Sequence, residues 1–162
     1  MRPITNMDWV LEDSMKRGKV IAHVKLEKPL PNGHDPVLQL RWHENKRLLG
    51  YDYYLVVLDN TTQSPVAISA LSYEKGSGYR AHFPGPVVVG GIGLGTVGYY
   101  GLALAAFNEL RQTDIVSNPK DRTPDATVWW EKQRHKDLTY KVGKLDVLDY
   151  KVARDNLRFT MK

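Results

Sequence analysis

The clearest pattern of apolar and polar positions lies between residues 51 and 83. "YDYYLVVLD" (51–59) and "SPVAISALSYE" (64–74) are apolar, β-branched and aromatic runs joined by "NTTQ" (60–63). Two such runs separated by four or five turn-forming residues predict a β-hairpin. "GYRAHF" (78–83) follows a "KGSG" turn and extends the pair to a three-stranded antiparallel meander. Upstream, Asp8 reads as the cap of a short helix that runs through Met15 and ends before Gly18. "KVIAHVKLE" (19–27) alternates well enough for a strand, and Pro29–Pro36 is a loop rich in turn residues. "RWHENKR" (41–47) reads as a solvated loop with an anchoring Trp, or as a nucleobase-stacking and phosphate-gripping element.

Downstream of the meander the period changes. "PVVVGG" (86–91) is a short extended run, and "TVGYYGLALAAFNELRQ" (96–112) places Leu102, Ala105, Ala106 and Leu110 at helical spacing. "TDIVSN" (113–118) is a further short strand. "RTPDATVWWEKQRHK" (122–136) carries the strongest helix signature: Thr123 as N-cap, Pro124 in the first helical position, Asp125 in the first turn and bases toward the end. Trp129 and Trp130 are adjacent on that helix, so they point about 100° apart: both pack against the sheet, or one is core and the other a partly exposed candidate partner-binding anchor. "LTYKVGKLDVLDYKVARDNLRF" (138–159) supplies one or two strands, or a strand and a short helix. The order predicts a single α+β domain over 1–162, built on one mixed, mainly antiparallel sheet flanked by helices.

Five glycines fall within residues 90–98, and "GLGTVG" (93–98) matches G-x-G-x-x-G. Glycines permit a tight turn and close approach to a ligand, and the first amides of the following helix face an anion. The same glycines also let a helix pack closely on a sheet. No lysine follows the last glycine, so this is not a nucleotide-triphosphate loop. A dinucleotide-binding domain would set the motif in its first strand–helix turn, with several parallel strands after it. Here an antiparallel meander precedes it and only 64 residues follow Gly98.

Composition narrows the chemistry. The 162 residues contain no cysteine, which rules out disulfides and thiolate metal sites. The five histidines show no H-x-x-x-H or H-E-x-x-H spacing, so no metal site is expected. No G-x-S-x-G is present, and Ser and Thr are the remaining hydroxyl nucleophiles. The longest weakly polar stretch, 83–110, is broken by seven glycines and two prolines, so no membrane span and a cytoplasmic location are expected. The net charge of +5 is uneven: residues 1–50 carry nine bases and six acids, 51–112 three and four, 113–162 eleven and eight. Basic ends of this kind attract phosphates, acidic ligands or nucleic acid.

The order of meander, glycine turn, helix, strand, helix and strand resembles the GNAT family of N-acetyltransferases over about residues 50–150. It is similar in particular to compact GNAT-like proteins of tailed phages, through Asn118, Ala126, Trp130, Glu131 and Lys132 in the later helix region. The resemblance implies an acyl-CoA-dependent transfer of an acetyl group to a small-molecule or protein amine. Acetyl-CoA would lay its pyrophosphate on Gly91, Gly93, Gly95, Thr96, Val97 and Gly98, with amides of Gly93, Gly95, Thr96 and Val97 as donors. Glu74 and His82 are then the candidate bases, and Tyr99 a candidate donor to the thiolate. Three departures stand out. Val and Gly replace the usual Arg or Gln at the start of the turn. "QRH" replaces the usual Gly-Phe after the later helix. Trp130 occupies the place of the tyrosine that often protonates the thiolate, and an indole cannot supply that proton. The alternative expectation is a non-catalytic α+β protein that binds a host or virion protein, or nucleic acid, through its basic ends and exposed aromatics.

Overall fold

A computed structural model describes residues 7–30, 33, 37–85, 93–157 and 159–161. The chain runs α1 (Asp8–Arg17), β1 (Lys19–Lys25), β2 (Val37–Glu44), β3 (Tyr53–Asp59), β4 (Pro65–Glu74), β5 (Gly78–His82), α2 (Leu94–Leu110) and β6 (Asp114–Ser117). A single 3-10 turn (Pro119–Asp121), α3 (Pro124–His135), β7 (Tyr140–Val142), β8 (Leu145–Asp149), α4 (Tyr150–Asn156) and β9 (Phe159–Met161) complete it. The strands form one mixed sheet in the order β7-β8-β6-β5-β4-β3-β2-β1-β9. The protein is therefore α+β, with a sheet that is antiparallel everywhere except between β5 and β6.

The unbroken apolar run of β3 follows from burial on both faces, which removes any need for alternation. Leu55 and Val57 join the cluster under α2, whereas Tyr54, Val56 and Leu58 join Val10 of α1 on the opposite face. Helix α2 is apolar all round because it is enclosed: Leu94, Val97, Tyr100, Leu102 and Leu104 are all buried, between the sheet and helices α3 and α4. Thr123 caps α3 by accepting from the Ala126 amide at 3.2 Å, and Pro124 opens the helix. Trp130 is fully buried, and Trp129 is half-buried and packed against the same core cluster, so both contribute to packing.

The reading of residues 41–47 as a loop is overturned for 41–44 and holds for 45–47. Arg41 to Glu44 form the end of β2, and Trp42 is 5% exposed, stacked on Tyr53 with ring centroids 5.0 Å apart. A Trp buried in this way is not free to stack on a nucleobase. Helix α1 starts at Asp8 itself, with Met7 as its N-cap, and extends two residues past Met15. The tail resolves into both alternatives at once: strands β7 and β8, then α4. The extended run expected at 86–91 lies outside the described residues. No helix among the described residues is long and apolar enough to cross a membrane.

Candidate functional site

Strands β5 and β6 run parallel, joined by α2 as the crossover helix, and their ladder holds one residue pair, Arg80 with Val116. Two spaces adjoin beyond the end of β5. A cleft of about 670 Å³ has Gly95, Thr96, Tyr99, Trp129 and Lys132 among its walls. A cavity of about 240 Å³ is walled by Tyr51, His82, Asp121 and Arg122. Phe83, Tyr99, Thr123 and Ala126 line both, and form the neck where the two spaces adjoin. The larger volume is in the range of small-molecule and cofactor sites.

The glycine-rich motif divides in two. Gly93 is the N-cap of α2 with φ of 90°, a left-handed conformation that glycine adopts without strain. Gly95 is open toward the cleft: a Cβ there would meet nothing nearer than Trp129 Cδ1 at 4.0 Å. Gly98 serves packing instead. A Cβ on it would fall 2.7 Å from Cζ of Phe83, and Gly101 approaches Leu55 and Leu40 as closely. Ser69 Oγ bonds the Gly98 carbonyl at 3.2 Å and draws the helix onto the sheet.

Helix α2 has no side-chain N-cap bond, and the amides of a helix's first turn have no partner within the helix itself. The Val97 amide bonds the Gly93 carbonyl at 3.0 Å within the helix, which removes it from the expected donor set; Gly95 and Thr96 lie in the first turn, ahead of that first intrahelical bond. Thr96 Oγ1 accepts the Trp129 indole N–H at 3.0 Å, which ties α3 to this turn. A third groove of about 330 Å³ shares Gly93 and Thr96 with the main cleft and brings Lys25 and Lys28 to the same helix end. With Lys132 these make three lysines lining the two spaces that share Gly93 and Thr96, beside the acids Glu27 and Asp125; none of the three lysines is seen in an ion pair among the described residues.

The three residues singled out for proton chemistry lie in different settings. Glu74 is at the exposed end of β4, paired with Arg80 at 3.1 Å, and borders neither space. His82 is 7% exposed at the end of β5, with its ring on Tyr51 at 4.5 Å. Burial pulls its pKa down to about 4, Asp121 pulls the other way and Arg80 adds to the fall, so the ring is neutral at pH 7. Tyr99 occupies the neck, in edge contact with Phe83 at 5.4 Å and Trp130 at 5.2 Å. Burial pushes its pKa up to about 12, and it therefore keeps its proton. The structure brings His82 and Tyr99 to one cavity; Glu74 stands apart from them. Gly91 lies outside the described residues.

Sequence reasoning missed Ser72, whose Oγ lies 2.7 Å from His82 Nε2. It also missed Tyr51, Asp121 and the two lysines of β1 and its following loop. A signal for Ser72 existed: the KGSG turn sets the hairpin register, which pairs Ala70 with His82 and Ser72 with Arg80. Behind the cleft, the fully buried Asp146 of β8 holds Arg122 at 2.7 Å and Arg134 at 3.1 Å, fixing the turn and α3 to the sheet.

Compared with known proteins, the chain matches no family model, no curated protein and no solved structure.

Proposed function

We propose that this chain binds an acyl-CoA in the cleft between α2 and α3 and transfers the acyl group to an amine held in the cavity that adjoins it. The observation that carries the reading is the wall that a large cleft and a small cavity share at the end of β5, made by Phe83, Tyr99, Thr123 and Ala126. A two-substrate reaction needs such an arrangement: the carrier on one side, the acceptor on the other, and one neck where the reacting atoms meet.

The residues present fit the coenzyme. The uncapped first turn of α2, open at Gly95 and flanked by Lys25, Lys28 and Lys132, suits a diphosphate. When bound, the coenzyme supplies a thioester-activated acyl group. Phe83 and Tyr99 line its path to the neck and exclude water there. Tyr99, protonated and buried, is the donor within reach of a departing thiolate, the place Trp130 cannot fill. His82, held neutral, is the base facing the smaller cavity. The rival reading, a binding protein using basic ends and exposed aromatics, loses Trp42 to the core.

The test is release of free thiol from acetyl-CoA in the presence of a panel of primary amines. Amine-dependent release that falls at least tenfold in Tyr99→Phe supports the reading. No release with any amine, in a protein that also fails to bind acetyl-CoA, would reject it.

A further inference from the structure

We propose that His82 and Ser72 form a two-residue proton relay leading from the smaller cavity to solvent along the β4–β5 hairpin. The proposal rests on the transferase reading above, with His82 as the group that takes the proton of the acceptor amine.

The antiparallel register sets Ser72 opposite Arg80 and His82 opposite Ala70, so Ser72 and His82 are diagonal neighbours on one face. Their side chains meet at 2.7 Å through Ser72 Oγ and His82 Nε2. The imidazole is otherwise enclosed, 7% exposed and covered by Tyr51, whereas Ser72 is half-buried and reaches the surface. Charge surrounds the ring on several sides. Arg80, on its own strand, spans from Glu74 to Asp121, while Asp121 and Arg122 face the cavity from the turn before α3. Tyr51 and Tyr99 are the remaining titratable neighbours in that cavity.

A base in this position that kept the proton it received would become a buried imidazolium close to Arg80, at a high desolvation cost. The hydroxyl removes that difficulty. With Nε2 engaged by Ser72, the nitrogen left for an occupant of the cavity is Nδ1. The amine N–H bond breaks as Nδ1–H forms. The Nε2–H bond then breaks as its proton passes to Ser72 Oγ, and the original hydroxyl proton leaves to water. The ring ends neutral in its other tautomer, and reverse exchange with solvent resets it. The resting state this requires is definite: Nε2 carries the proton and Ser72 accepts it.

Two measurements test the relay, and the first needs no turnover. The ring-nitrogen chemical shifts of His82, recorded on isotope-labelled full-length protein, report its tautomer. The Nε2–H form is expected, and an Nδ1–H resting form overturns the relay. The second compares wild type, Ser72→Ala and Ser72→Thr, using acetyl-CoA with phenethylamine and n-butylamine from pH 6 to 9. Loss of the relay is expected to lower kcat about 10- to 100-fold in Ser72→Ala. KM for acetyl-CoA should stay unchanged, and Ser72→Thr should restore kcat. A Ser72→Ala enzyme with unchanged kcat, or one altered only in KM, contradicts the proposal. If the wild-type protein neither binds acetyl-CoA nor turns over either amine, the transferase reading fails and the relay, which takes its proton from the acceptor amine, falls with it. Turnover by wild type that Ser72→Ala leaves unchanged overturns the relay alone.

Discussion

Gly98 packs against the ring of Phe83, so closely that a Cβ on it would come within 2.7 Å of Cζ. Gly95, three residues earlier on the same helix, has open space where its side chain would be. Two glycines of one six-residue motif thus do different work: one brings the helix onto the sheet, and the other leaves a cleft unobstructed.

That division predicts opposite responses to the same substitution. Gly98→Ala should destabilise the fold by about 1–3 kcal/mol, because the Phe83 ring must shift within a packed core. Gly95→Ala should be neutral or stabilising by up to about 1 kcal/mol, as expected when glycine is replaced by a better helix former. Urea denaturation of the two variants beside wild type checks both, and equal losses would remove the distinction.

Two buried histidines set the acid response. His43, 3% exposed under α1, has its pKa pulled down to about 4 by burial, with Arg17 adding to the fall, Asp13 opposing it and Arg41 lowering it further. His82 is depressed to a similar value. An unfolded chain protonates both near their ordinary value of 6.5, so the unfolded state binds more protons between about pH 6.5 and 4. Their contribution is therefore complete above pH 6.5 and is lost as pH falls toward 4, at about 1.4 kcal/mol per pH unit for each group. Stability measured from pH 7.5 to 4.5 should show this slope, and His43→Leu should reduce it by about half. A flat profile in wild type would mean that neither ring is held neutral.

The buried carboxylate of Asp146 should be the most sensitive polar position behind the cleft. Asp146→Ala leaves Arg122, 5% exposed, as an uncompensated charge and should cost about 3–5 kcal/mol. Arg134→Ala should cost much less, since that side chain is 33% exposed and Asp146 keeps its bond to Arg122. Calorimetric melting of the two variants tests the order, and a reversal would contradict the geometry.

Much of the meander was legible because its turns are. "NTTQ" and "KGSG" punctuate apolar runs, and the strands of residues 53–82 fall where those runs lie. Strand β2 was obscured by its charges. "VLQLRWHE" does alternate, with Leu38, Leu40 and Trp42 on the α2 face, but Arg41 and His43 on the other face read as solvated. Both are instead covered by α1: Arg41 donates to the carbonyls of Ser14 and Gly18, and His43 stacks on Tyr54 at 5.6 Å. The candidate site was legible where it is local, in Gly93, Gly95, Thr96 and Tyr99. It was not legible where the sheet assembles it. Lys25 and Lys28 reach the α2 N-terminus from more than sixty residues upstream, and no periodicity records that meeting.

The most direct test of the central claim is calorimetric titration of the full chain with acetyl-CoA, CoA and NAD, repeated on Gly95→Glu after its folding is verified. A carboxylate at position 95 would repel the anion at the α2 N-terminus and would point into open space rather than into the core. Binding of acetyl-CoA and CoA but not NAD, lost in Gly95→Glu, is the result predicted. Failure of wild-type protein to bind either coenzyme species, or binding unaltered by Gly95→Glu, would contradict it.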